Sequence, residues 1–117
     1  MRNRLETDKR PEPLAPTAWR RETPCTCLRL EPSATEAHLF PYQHFVTASL
    51  VQADADEVLR LTFSSHDVEI TGRCLRELLV AIQDFAVKCV RVVPERYRGV
   101  AAADAGLVLG IRITPAK

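Results

Sequence analysis

Glycine, net charge, lysine and long apolar runs are all scarce in this chain. Only four of the 117 residues are glycine, at Gly72, Gly99, Gly106 and Gly110. They are too few and too scattered for a glycine-rich loop that wraps backbone N–H groups around a phosphate. The formal net charge is +1, so no global field draws the chain to nucleic acid or to an anionic membrane. The longest apolar runs fall far below the roughly 20 residues that a membrane-spanning helix requires. No apolar stretch follows the positive charges at Arg2 and Arg4. That argues against a secretory leader and sets the expectation of a cytoplasmic protein. Thirteen of the 16 basic residues are arginine. Guanidinium groups suit bidentate pairing with carboxylate or phosphate, although a GC-rich genome produces the same bias through codon usage.

Cysteine is present but badly spaced for a metal. Cys25 and Cys27 are closer together than the pairs of structural zinc sites, and Cys74 and Cys89 are far apart. Cys74 and Cys89 are read as small buried residues, because a free thiol packs as a hydrophobe. No metal and no cofactor is expected, and no disulfide framework is needed.

The strongest positive signal is a change of hydrophobic period between residues 59 and 85. Leu59, Leu61 and Phe63 alternate with Arg60 and Thr62, and Val68 and Ile70 repeat the pattern after the polar break Ser64, Ser65, His66. Period two marks half-buried strands. Beyond Gly72, the residues Leu75, Leu78, Leu79, Ile82, Phe85 and Ala86 recur at steps of three and four. That spacing places them on one face of a helix. The sequence therefore predicts strands over 45–51, 58–63 and 67–71, a helix over 73–85, and strands over 88–93 and 107–113. A helical turn is expected over 94–97 and a small-residue loop or short helix over 101–106. In the last strand, Leu107, Leu109, Ile111 and Ile113 are expected on one face and Val108, Gly110 and Arg112 on the other. Gly72 is expected to make the strand-to-helix turn.

The fold class that follows is α+β: a small, mainly antiparallel sheet in the order β-β-β-α-β-β, with one amphipathic helix packed on one face. Residues 38–117 form this domain. Residues 1–37 hold five of the eight prolines and few apolar residues, and are expected to be an extended or disordered arm. Within the arm, 25–30 alternates loosely and could add a short edge strand. Trp19, between Ala18 and the pair Arg20 and Arg21, is its unusual element. It either anchors the arm to a partner or folds back on the domain.

Other clusters have simpler readings. Ser64, Ser65, His66 and Asp67 supply the residue types of a nucleophilic triad, but consecutive positions on a hairpin cannot reach mutual hydrogen-bond geometry. They are also ordinary turn residues. His38, His44 and His66 lack the spacing of two ligands on one helical face. Asp54, Asp56 and Glu57 lack the glycine and the terminal Glu of a calcium loop. Between residues 54 and 69 five acids face one Arg, whereas between 73 and 98 six bases face three acids. Arg91, Arg96, Tyr97 and Arg98 thus form a local basic group with one aromatic, to which Arg73 and Arg76 add as further contacts. With Trp19 they are the candidate contacts for a partner or for nucleic acid. No residue is a candidate catalyst. The expected function is a non-enzymatic protein-interaction or assembly domain, with a protein partner or a second copy as ligand and no membrane. A nucleic-acid-binding domain that uses the Arg-rich surface is the alternative, and a small-molecule enzyme comes third.

Overall fold

The computed structural model describes residues 17–94 and 106–116. Its elements are β1 (Cys27–Ser33), β2 (Glu36–Pro41), a 3-10 turn (Tyr42–His44), β3 (Phe45–Ala53), β4 (Asp56–Phe63), β5 (His66–Arg73), α1 (Arg76–Gln83), β6 (Cys89–Arg91) and β7 (Leu107–Pro115). The α+β class holds, with sheet predominant. The strands form two sheets rather than one, a four-stranded β3-β4-β5-β7 and a three-stranded β2-β1-β6. Neighbours are antiparallel except β1 and β6, which are parallel.

The four-stranded sheet follows from the alternation in the sequence. Directly opposed residues of an antiparallel pair share a face. Leu50, Leu59, Ile70 and Ile111 form one row across it, and Ala48, Leu61, Val68 and Ile113 form the next. The β4 and β5 members of these rows are buried, and the edge-strand members pack against them. On the solvated face, Glu69 binds both Arg60 at 3.4 Å and Arg112 at 2.8 Å. Glu69, one of the five acids between residues 54 and 69, is thus paired across strands.

The face assignment for β7 is corrected. A bulge between Thr71 and Gly72 opposes Gly72 to Val108 and Thr71 to Gly110. Val108 therefore shares the core face with Ile111 and Ile113 and is fully buried. Gly72 is the reason the two backbones can meet there. A Cβ on it would run into the Leu107 carbonyl oxygen and lie 3.1 Å from Val108 Cα. Its role is close approach within β5, not a turn. The turn falls on Cys74, which is exposed and has φ of 56°, so Cys74 is not the buried residue expected. Because β5 continues through Arg73, α1 starts at Arg76 instead of 73.

Helix α1 buries Leu78, Ala81 and Ile82, but at eight residues it covers only part of the sheet. The three-stranded sheet covers the rest. Leu28 and Leu30 of β1, Phe40 of β2 and Val90 of β6 join the same buried cluster as the helix and the larger sheet. This corrects the expectation of a single helix as the second layer.

Residues 17–37, assigned by composition to an arm, lie inside this framework. β1 is the central strand of its sheet, not an edge. Leu28 and Leu30 are fully buried, and Ala18 is 2% exposed. The start of the domain expected at residue 38 therefore falls within the β1–β2 hairpin. Prolines suppress local periodicity, but β1 needs only alternating Leu28 and Leu30 to fill the gap between two layers.

Candidate functional site

One cleft gathers much of the chemistry that this chain has to offer. Its floor is the outer face of the β1–β6 pair. Parallel register sets Arg29 beside Cys89 and Glu31 beside Arg91. Leu28, Leu30 and Val90, on the opposite face of the same strands, fill the core. The alternation that buries the leucines and Val90 therefore projects the charged residues outward together.

The wall is the segment that precedes β1. It is held along residues 85–91 by backbone hydrogen bonds: Arg91 N donates to Ala18 O at 2.9 Å, Glu22 N to Ala86 O at 2.9 Å, and Cys25 N to Phe85 O at 2.8 Å. Arg21 and Val87 add an antiparallel bridge. Buried Ala18 pins the segment, and Trp19 packs half-buried against the core beside Gly106. Trp19 is thus docked on its own domain.

The cleft measures about 410 Å³ and is lined by Trp19, Arg20, Arg29, Lys88 and Arg91, with Glu22 on the wall and Cys89 on the floor. Glu31 lies between two of the cations, 2.9 Å from Arg29 Nε and 3.7 Å from Arg91 Nε. Arg91 Nη2 lies 3.7 Å from Cys89 Sγ. Arginine is always cationic in a protein, and Cys89 and, after it, Glu31 push Arg29 further above the usual arginine value. Arg20 and Lys88 make no ion pair with any described residue. Chemically, the cleft offers an indole surface and four cationic groups, two of them orientated by one carboxylate. Such a set accepts a carboxylate or another oxyanion.

Of the residues singled out in the sequence, the cleft unites Trp19 and Arg91. Arg73 ends β5 and pairs with Asp56 at 3.1 Å, and Arg76 is exposed at the start of α1. Neither lines the cleft. Arg96, Tyr97 and Arg98 lie outside the described residues. Arg29 and Lys88 were missed. The signal for Arg29 was the alternation of Leu28 and Leu30 around it, which sequence reading saw only as a marginal strand.

The other clusters separate or serve structure. Glu57 Oε1 accepts the Leu75 N–H at 2.8 Å, and Asp56 holds Arg73, so the acidic group anchors the start of the helix. His66 Nδ1 lies 2.9 Å from Ser65 Oγ within its turn, and His38 pairs with Glu36. Burial, then Glu22, pushes the Cys25 thiol up, which keeps it protonated. Among the described residues no three His, Cys, Asp or Glu side chains are grouped to hold a metal ion. Among those residues no helix is long and apolar enough to cross a membrane. No family model, curated protein or solved structure matches this chain, so the reading of the cleft rests on its own chemistry.

Proposed function

We propose that this chain is a non-enzymatic protein-interaction domain whose cleft receives a short acidic segment of a partner protein. One or two carboxylates of the segment sit on Arg20, Lys88 and the Arg29–Arg91 pair, and an apolar side chain lies against Trp19. The observation that carries this reading is the distribution of unneutralised charge. Arg21 is tied to Asp84, Arg60 and Arg112 to Glu69, and Arg73 to Asp56. In the cleft, by contrast, Arg20 and Lys88 have no acid partner among the described residues, Arg29 and Arg91 share one carboxylate, and all four line one cleft with an indole. A nucleic acid needs cations along successive phosphates. Here the four cations converge on one cleft instead of following a line, which suits one or two carboxylates better than an extended phosphate chain. A cytoplasmic setting is part of the proposal, and four unpaired thiols are compatible with it.

Trp19 is the sole tryptophan, so its fluorescence reports on the cleft directly. We expect short peptides of mixed Glu and Leu to change its emission, and Lys88→Glu with Arg91→Glu to abolish the change. Response to a single-stranded oligonucleotide alone, weakening steeply with salt, would instead favour the nucleic-acid alternative. A cleft silent to both ligands overturns the reading.

A further inference from the structure

The four edges of the two sheets are not alike. The β6 edge is occupied, because Arg91 N donates to Ala18 O and the Arg21–Val87 bridge continues alongside. The β2 edge is six residues long, carries Glu36 and His38, and ends in Pro41. The β7 edge carries Arg112 and Pro115, and its Val108 carbonyl accepts the Val93 N–H at 3.0 Å. Charges, prolines and covering segments are the devices that keep a sheet edge from pairing with another chain.

β3 has almost none of these. Its nine residues contain no charge, no proline and no glycine. Among the described strands it is hydrogen-bonded to β4 alone. Its one irregularity is the bulge at Val46, and from Thr47 to Ala53 the ladder is regular. Along that stretch Thr47, Ser49 and Val51 are exposed, with Val51 at 42%. No backbone group of another described element pairs with the outer side of the strand.

We propose that this edge pairs antiparallel with β3 of a second copy, about a two-fold axis through Leu50, to make one eight-stranded sheet. The choice of a second copy follows from the register. With the axis at Leu50, Thr47 faces Ala53, Ala48 faces Gln52, and Ser49 faces Val51 of the other chain. Every regular residue of the strand is used and no charge meets a like charge. Leu50 meets Leu50, so the core row of Leu50, Leu59, Ile70 and Ile111 runs unbroken from one copy into the next. Such self-complementarity is what an isologous interface requires. The edge lies apart from the residues that line the cleft, so this inference does not depend on the acidic-segment reading.

The test is a charge swap across the proposed register. We expect light scattering on the full chain to give twice the 13.1 kDa chain mass. The double variant Ser49→Lys, Val51→Lys sets lysines opposite lysines and should weaken association by about tenfold or more. Both positions are exposed, so its melting measured at high dilution should match that of wild type at the same dilution. The variant Ser49→Glu, Val51→Glu should behave likewise. Mixing the two variants in equal amounts should restore the dimer. A wild-type chain that stays at 13.1 kDa at high concentration, or a dimer that survives the lysine variant unchanged, overturns the proposal. So does failure of the mixture to reassociate.

Discussion

Tyr42 ties the turn before β3 to the segment that precedes β1 and to the residues that follow α1. Its hydroxyl donates to Val87 O at 2.6 Å, its N–H donates to Thr26 O, and its ring lies 5.0 Å from that of Phe85. Phe85 is strained, with φ of 55°. It fills the left-handed position that closes α1, with Phe85 N donating to Ile82 O and Ala86 N to Ala81 O, a place usually taken by glycine. Burial, and then the neighbouring Cys25, pushes the Tyr42 phenol well above the ordinary tyrosine value of about 10. The folded state therefore binds the proton more tightly than the unfolded state. The contribution of this group is complete below about pH 10 and is lost as pH rises beyond it. Tyr42→Phe should cost about 1 kcal/mol at neutral pH by orphaning the Val87 carbonyl. It should also flatten the alkaline decline. Urea midpoints measured against pH in both proteins check this, and parallel declines would contradict it.

At the scale of the element, α1 is too short to persist alone. It is held by Glu57 at its start, by the closing turn at Phe85, and by Leu78, Ala81 and Ile82 against the sheets. Periodicity grouped Leu79 with the buried row, but it is only partly buried at the margin of the core. Leu78 is fully buried. Leu78→Ala should therefore cost about 2–5 kcal/mol and Leu79→Ala distinctly less, about 1 kcal/mol, in urea unfolding. Equal losses would mean that the helix is rotated from the orientation described. The periodic pattern located α1, β3, β4 and β5 within a few residues, because each buries one face along its own length. It misjudged β7, because a bulge shifts the period and depends on a glycine in another strand.

At the scale of the whole molecule, residues 17–37 are part of the fold. Deleting residues 1–35 removes the central strand of one sheet and the wall of the cleft. The remainder should lose its cooperative melting transition, because fully buried Leu28 and Leu30 leave a void between the layers. Trp19 should emit to the blue in the native chain and shift red on unfolding. An unchanged melting curve after deletion would return these residues to the status of a tether.

The sequence by itself determined the α+β class, the hairpins from β3 to β5, the helix, and most residues of the larger sheet's core. These follow from local alternation, and a side chain's burial can be read from its immediate neighbours. Only the tertiary structure decided that β1 is central, that it pairs parallel with β6 some 60 residues on, and that Val108 turns inward. It also decided that Trp19, Arg29, Lys88 and Arg91 share one cleft. Backbone hydrogen bonds carry no side-chain signature of their partner, and the cleft joins segments far apart in the chain. Its membership was set by which faces the core left outward.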